Sequence, residues 1–194
     1  MSGATDLWGE WQKHGAQGVS GARALYAEIE RVARAGGIAS PVTASRGLAA
    51  RLRYLDNPVG RAELAACGVS RRLLRSWERG VTPSPVKLKA VDDAYWARRR
   101  YNLLRSGALK RILDNHGMGR RMEIFPVDQS TVSEKYQRIL SDRSIQARYI
   151  WDDAVRAWGA DDIATLDEIW DDIISELDSD YSAYAYVSAI GIGA

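Results

Sequence analysis

Hydrophobic and polar positions repeat along this chain with two different periods, and the change falls near residue 119. Before it, apolar residues recur three or four positions apart, as on one face of an α-helix. After it, short strand-like runs come first, followed by helical spacing and an alternating, tyrosine-rich tail. The predicted helices span 20–35, 44–55, about 86–113 (as one helix or two), 151–158 and 161–177. The predicted strands span 120–127, 144–150 and 181–192.

These elements predict an α+β protein, in which an all-helical module precedes a small α+β domain with a short β-sheet. An N-terminal arm and helix occupy 1–42, with Trp8 and Trp11 in a loose arm. A basic helix-turn-helix domain follows at 43–119, and an acidic α+β domain at 120–194. The length of 194 residues is compatible with one or two domains.

The segment Arg61–Gly80, RAELAACGVSRRLLRSWERG, has the pattern of a helix-turn-helix. Gly68 supplies the tight turn, because glycine adopts positive φ without a Cβ clash. Ser70 is placed to cap the second helix through its hydroxyl. Leu74 and Trp77 lie three positions apart and are expected to face the core. The segment therefore predicts two short helices joined by a glycine turn.

The outward-facing side chains of the second helix form the predicted DNA-binding site. Arginines at a helix N-terminus, where the dipole is already positive, favour an anionic partner. In the major groove, Arg71 or Arg72 would pair with guanine and Leu73 would contact a thymine methyl group. Arg98–Arg100 and two lysines beyond the motif are expected at phosphates. The predicted DNA-binding residues are Ser70, Arg71, Arg72, Leu73, Arg75, Ser76, Arg79, Lys87 and Lys89. An ordinary helical hairpin with a basic surface is the alternative.

One position departs from the usual motif. Most helix-turn-helices place a small residue, usually alanine, four positions before the turn glycine, because the two helices touch there. Leu64 stands at that position in this chain, among neighbouring alanines. A first helix that is rotated or shortened by one residue is therefore expected.

Charge is strongly segregated, although the net charge is only +2. Residues 1–42 hold 4 basic and 4 acidic residues, residues 43–121 hold 18 and 6, and residues 122–194 hold 5 and 15. Such a distribution favours a basic module for a polyanion and an acidic module with another task, such as dimerisation or recruitment of a basic partner. Chance clustering on solvated helix faces is the alternative.

Composition and the lengths of the apolar runs argue against a disordered, a fibrous or a membrane-spanning protein. Hydrophobic residues make up 46% and charged residues 27%, close to the average for globular proteins. No apolar run is long enough to span a bilayer, and no secretory signal is recognised, so a cytoplasmic protein associated with a nucleoid or plasmid is expected. The single cysteine, Cys67, excludes an internal disulfide and is expected to be a small buried residue.

A longer pattern gives a family resemblance. RLRYLDNPVGRAELAACGVSRRLLRSW is followed by a basic helical stretch, then by a β-containing domain with helices and a tyrosine-rich strand. This order of elements resembles the telomere terminal proteins of linear actinobacterial replicons, and the matching residues are mainly Arg53–Leu55 and Gly68–Ser70. The resemblance implies binding to replicon ends and a hydroxyl that carries the first nucleotide. No matching priming motif is found. Candidate hydroxyls are those of Ser130, Thr131, Ser133 and the tail tyrosines Tyr181, Tyr184 and Tyr186.

The clustered carboxylates of the acidic half are compatible with a metal site, but their helical spacing favours another interpretation. Carboxylates in Trp-Asp-Asp at 151–153 and 170–172 are of the type that binds Mg²⁺. The acids nevertheless follow helical rows beside a broad apolar face, which is typical of a solvated or partner-facing surface. Without a catalytic constellation, the sequence predicts a non-enzymatic protein that needs no cofactor or metal.

The leading hypothesis is a sequence-directed binder of double-stranded DNA in the replication or maintenance of replicon ends. A transcriptional regulator with a C-terminal dimerisation or ligand-sensing domain is the alternative, and an enzyme that acts on DNA is a third. The expected partners are double-stranded DNA, a second copy of the chain and a replication protein that contacts the acidic domain. No membrane partner is expected.

Overall fold

The computed structural model describes residues 13–177 and 182–193, so Trp8, Trp11 and Tyr181 lie outside the described residues. These ranges contain eight α-helices and four β-strands, which confirms the predicted α+β class. None of the described helices is long and apolar enough to cross a membrane. The helices are α1 (Gly21–Ala35), α2 (Ser45–Tyr54), α3 (Pro58–Ala66), α4 (Arg71–Glu78), α5 (Pro85–Arg105), α6 (Ala108–Leu113), α7 (Trp151–Gly159) and α8 (Ile163–Ser175). The strands are β1 (Val19–Ser20), β2 (Arg120–Pro126), β3 (Arg143–Ala147) and β4 (Tyr186–Ile192).

The chain divides into two compact units, which we call the helical unit and the sheet unit. The helical unit is Ala33–Ser106, and the sheet unit consists of the described residues up to Val32 and from Gly107 onward. This division differs from the predicted boundaries at 42/43 and 119/120. The buried carboxylate of Glu28 in α1 accepts a hydrogen bond from the backbone N–H of Ile192 in β4 at 2.9 Å. Most of α1 therefore belongs with the sheet, a grouping that a linear pattern does not reveal.

The helical unit is built around α5. Helices α2 and α3 pack against this long helix. The half-buried Leu74 and Trp77 of α4 pack against the same core, as the sequence predicts. The fully buried residues of this core are Leu55, Leu64, Val69, Val91, Ala94 and Tyr95. No side chain of α4 is itself fully buried, so this helix lies at the edge of the core and presents most of its surface to solvent.

A buried arginine joins three segments of the helical unit. Arg51 in α2 is only 5% exposed, although charged side chains are rarely buried unless they are paired. Its guanidinium donates to the carboxylate of Asp92 in α5 at 2.5 Å and to the carbonyl oxygens of Ser40 at 2.7 Å and Gly47 at 3.2 Å. The guanidinium also lies 5.3 Å from the centre of the Tyr95 ring. Arg51 therefore fixes the segment before α2 to the central helix.

The region predicted as one long helix or two contains two. Helix α5 ends at Arg105, and Gly107 adopts a left-handed φ of 64° before α6 begins. Glycine tolerates this conformation because it has no Cβ. The break coincides with the boundary between the two units.

The sheet unit contains one antiparallel sheet with the strand order β1-β4-β2-β3. The central strand β2 pairs with both neighbours, so that Met122 faces Ile145 on one side and Ile192 on the other. The fully buried indoles of Trp151 and Trp170 donate to backbone carbonyl oxygens at 3.3 and 3.0 Å. These bonds satisfy the polar atom of each ring inside the core of the unit. The two-residue strand β1 is absent from the predicted elements, because it is too short to produce a period.

A β-bulge changes which tail residues face the core. The pattern of alternation places Val187 on the face opposite Ile190 and Ile192. In the structure all three are buried, because Phe125 and Pro126 pair with Ala189 and Val187, which leaves Ser188 as the extra residue. An inserted residue reverses the alternation beyond it. The predicted strand is therefore present, but its faces change at the bulge.

Candidate nucleic-acid interface

The first helix of the predicted motif begins before Arg61. Asn57 caps α3 by accepting a hydrogen bond from the backbone N–H of Gly60 at 2.9 Å, and Pro58 occupies the first helical position. Proline suits this position because its missing N–H would have no partner inside the helix. The Asn-Pro pair that follows α2 therefore starts α3.

The turn after α3 satisfies its own backbone groups. Gly68 adopts a φ of 75°, as the pattern requires. Its N–H donates to the carbonyl oxygen of Ala65, and the N–H of Val69 donates to that of Leu64. This pair of hydrogen bonds is the Schellman arrangement, in which a hydrophobic contact commonly joins the residues at the same two positions as Leu64 and Val69. Both side chains are 2% exposed.

The leucine that departs from the usual motif belongs to the core. Leu64 packs in the same cluster as Leu55 and Val91, and α3 as a whole packs against α5. Helix α3 contains nine residues and ends at Ala66, so the expected shortening is not seen. Leu64 is a large residue here because the long helix α5 provides an apolar surface for it.

Helix α4 is held at both ends. The Ser70 hydroxyl accepts from the backbone N–H of Leu73 at 3.3 Å, which confirms the predicted cap. At the other end, Gly80 has a φ of 93°, and the N–H groups of Gly80 and Val81 donate to the carbonyl oxygens of Trp77 and Ser76. Two glycine-dependent turns therefore delimit a helix of eight residues.

The arginines of α4 share one exposed side. At about 100° per residue, Arg71, Arg72 and Arg75 fall within an arc of about 100° around the helix, and the C-cap residue Arg79 follows at the end of the helix. All four are exposed. Within the described residues none of the four guanidinium groups has a hydrogen bond or ion pair. Their charge is therefore available to a ligand.

Two of the predicted contact residues differ from these arginines. Leu73 is half-buried and lies nearly opposite Arg71 and Arg75 around the helix. Ser76 lies about 40° from Arg72 around the helix, but its hydroxyl donates to the carbonyl oxygen of Leu73 at 2.7 Å and is therefore used inside the helix. The structure thus separates Leu73 from the arginines that the sequence groups with it, and it engages the hydroxyl of Ser76.

The basic residues beyond the motif are held by partners in the same unit. Lys87 donates from Nζ to the carbonyl oxygen of Gly68 at 2.7 Å, which ties the start of α5 to the turn. Lys89 pairs with Asp93 at 2.6 Å, and this hydrogen bond raises the pKa of Lys89. Arg99 donates to the carbonyl oxygen of Ala33 at 3.2 Å. These groups have structural roles that sequence spacing does not reveal.

Arg61 was not among the predicted contact residues. A cleft between α3 and α4 is lined by Pro58, Arg61, Arg71 and Leu74, among others. The guanidinium of Arg61 also pairs with Asp56 at 2.6 Å. Its place in the first turn of a helix capped by Asn-Pro is a sequence signal that could have identified it.

A second, largely apolar groove lies between α2, α3 and α4. It has a volume of about 480 Å³, and its lining includes Leu48 and Leu52 of α2, Leu74 and Trp77 of α4, and Arg53. Leu48 and Leu52 form one wall, and the half-buried Leu74 and Trp77 lie across from them.

The carboxylates of the sheet unit do not assemble a metal site. Within 13–177 and 182–193, no group of three or more His, Cys, Asp or Glu side chains is placed to hold a metal ion. Asp171 has a pKa raised by partial burial and by the neighbouring carboxylates of Asp167 and Asp172. These acids line the exposed side of α8, as the sequence predicts.

The candidate priming hydroxyls are mostly engaged. Thr131 donates to the carbonyl oxygen of Gly15 at 2.7 Å, and the buried Tyr184 donates to that of Ser141 at 2.7 Å. The backbone N–H of Ser130 donates to Asp128 at 2.8 Å, and this bond, followed by one from the Ser130 side chain, lowers the pKa of Asp128. The exposed Ser133 and the half-buried Tyr186 complete the described candidates.

Comparison with known proteins yields no match, whether to a protein-family model, to a curated protein or to a solved structure.

Proposed function

We propose that the helical unit binds double-stranded DNA and that α4 enters the major groove. One observation carries this proposal: the four arginines on the exposed side of α4 lack partners within the described residues, on a helix whose two ends are fixed by capping turns. The unit as a whole holds 15 basic and 5 acidic residues, so its surroundings reinforce the attraction of a polyanion.

The arginines would contact different parts of the DNA, according to their positions in the motif. Arg71, Arg72 and Arg75 project from the side that would meet base edges, where a guanidinium can pair with guanine O6 and N7. Arg79 lies at the C-terminal end of α4 and would contact a phosphate, which fixes the register of the protein on the duplex. The N–H groups at the start of α4 would attract a phosphate through the helix dipole.

The biological setting is a separate proposal. The resemblance of the sequence to telomere terminal proteins supports a role in replication or maintenance of replicon ends, with nucleoid or plasmid association. In that role the sheet unit would contact replication partners. A covalent-label assay with polymerase, labelled deoxynucleotide and terminal DNA tests it. Label that survives denaturation supports the role, whereas tight binding to an internal palindrome without label would identify a regulator.

DNA binding is tested first by selection of bound fragments from a random duplex pool. The selected site is then used to measure affinity across a salt series. Arg72→Ala should weaken binding to the selected site by roughly 1–3 kcal/mol and relax specificity at one position. Arg79→Ala should weaken all sequences alike and reduce the salt slope by about one.

Arg156→Ala in the sheet unit removes the same charge and is the matched control. It should leave both quantities unchanged. Circular dichroism establishes that each variant is folded. If substitution of the α4 arginines leaves affinity and salt dependence as in the wild type, the ordinary basic hairpin is the correct interpretation and the DNA proposal fails.

A further inference from the structure

The outer edge of β3 has no strand partner in the described part of the chain. The strand order β1-β4-β2-β3 places β3 at one end of the sheet, paired only with β2. Its five residues, Arg143–Ala147, leave Ser144 and Gln146 exposed. An edge strand presents a row of backbone N–H and C=O groups that can pair with another strand. The other edge of the sheet is the two-residue strand β1, which has far fewer backbone groups available for pairing.

Opposite charges stand at the two ends of this edge. Asp142 directly precedes β3 and Arg148 directly follows it, and both side chains are exposed. Neither has an ion pair or hydrogen bond within 13–177 and 182–193. The strand between them carries Ser144, Ile145 and Gln146 at its centre and therefore no charge there. The edge is thus self-complementary when it is read in opposite directions.

We propose that β3 pairs antiparallel with β3 of a second copy, about a two-fold axis at Ile145. In this register Asp142 of each copy lies opposite Arg148 of the other, which gives two ion pairs for each dimer. Ser144 lies opposite Gln146. No other antiparallel register places residues 142 and 148 opposite each other, because only Ile145 is equidistant from both. The two four-stranded sheets become one continuous eight-stranded sheet.

Exposed hydrophobic side chains flank the same edge. Ile139 lies just before β3 and is fully exposed, and Tyr149 lies just after it and is 90% exposed. Antiparallel pairing brings the start of one strand to the end of the other, and in this register Tyr149 lies opposite Ser141 of the second copy, two positions from Ile139. Both side chains would lose water contact on pairing, which stabilises the dimer.

This pairing produces a dimer that does not extend to further copies. A two-fold interface uses the same surface on both copies and leaves no free long edge for a third chain. The charges at the ends of β3 oppose a shifted register, which would leave Asp142 and Arg148 unpaired. The inference concerns the sheet unit alone and does not depend on DNA binding.

The test is sedimentation equilibrium of the full chain with a charge reversal. The wild type should be dimeric, and Asp142→Arg should weaken the dimer by about tenfold or more, because two attractions become two repulsions. Arg148→Asp should have the same effect. The double variant D142R/R148D should restore the dimer, since it re-creates both pairs with their signs exchanged. Both positions are exposed, and circular dichroism verifies that each variant folds.

A crosslink tests the register. In a Cys67→Ser background, chains carrying Ser144→Cys and chains carrying Gln146→Cys are mixed with oxidised glutathione. A disulfide between copies should form efficiently only in the mixture, because directly opposed residues in antiparallel strands meet the distance that a disulfide requires. A monomeric wild type, a dimer indifferent to the charge reversals, failure of D142R/R148D to restore the dimer, or crosslinking independent of mixing would overturn the proposal.

Discussion

Arg51 offers the most demanding test of how the helical unit is held together. Replacement by alanine removes the ion pair with Asp92 and the two hydrogen bonds that Nη1 donates to the carbonyl oxygens of Ser40 and Gly47. It also removes an aliphatic stem packed among the residues of the core. The segment before α2 would lose its main polar attachment to α5.

The magnitude follows from burial. Breaking a buried ion pair by removing one partner costs about 3–5 kcal/mol, because the remaining charge is left without compensation. The side chain of Asp92 is 30% exposed, so its carboxylate regains some water when Arg51 is removed. We therefore expect Arg51→Ala to lower the free energy of unfolding by about 3 kcal/mol, near the lower end of that range.

Hydrogen exchange measured by mass spectrometry is the appropriate assay, because the chain has two units that can open separately. Peptides from Ala33–Ser106 should lose protection in Arg51→Ala, whereas peptides from β2 and β4 should not. Arg53→Ala, two positions away and exposed, is the control and should change stability by less than about 0.5 kcal/mol.

A double-mutant cycle with Asp92→Ala isolates the ion pair. Asp92→Ala should cost much less in the Arg51→Ala background than in the wild type, because the carboxylate then has no partner to lose. Equal costs in both backgrounds, or a loss of protection in Arg51→Ala no greater than in Arg53→Ala, would refute the reasoning.

Three further predictions concern local geometry. Gly68→Ala should destabilise the helical unit by about 1–2 kcal/mol, because a Cβ is unfavourable at its positive φ, and an unchanged urea midpoint would contradict this. Gly47→Ala should destabilise the helical unit more strongly, because its Cβ would lie 2.0 Å from the carbonyl oxygen of Pro41. A melting temperature equal to that of the wild type would contradict so close an approach. Asp162 caps α8, and hydrogen bonds from Thr165 lower its pKa. Folding therefore stabilises the ionised form of Asp162. The resulting contribution to the free energy of unfolding is complete at pH values above the unfolded-state pKa. It is lost as the pH falls through the lower folded-state pKa. Asp162→Ala should accordingly be less stable than the wild type at neutral pH, with a difference that shrinks in acid; thermal melts across pH check this, and a constant difference would argue against the cap.

Local pattern accounts for most of the elements. Four features depend on residues within a few positions of one another. They are the spacing of leucines in α2, the Asn-Pro start of α3, the turn at Gly68 and the cap at Ser70. Short-range sterics and hydrogen bonds decide these features, so their spacing in the sequence is sufficient to predict them.

The candidate interface could be predicted only in part. The arginines of α4 follow from helical spacing, but the absence of partners for Arg71, Arg72 and Arg75 does not. Lys87 and Lys89 look equally available in the sequence, yet Lys87 is bound to a backbone carbonyl and Lys89 to Asp93. Which cations remain free depends on packing between segments, which linear spacing does not specify.

The sequence by itself determined the α+β class, the order of the helices and main strands, and the glycine-dependent turns around α4. Only the tertiary structure decided that Arg51 is buried with Asp92, 41 positions away, and that α1 joins the sheet through Glu28 and Ile192, 164 positions apart. It also decided that β3 is an edge strand. The physical reason is that helix periodicity and capping are local, whereas the partner of a buried charge and the neighbours of a strand are set by which distant segments meet when the core closes.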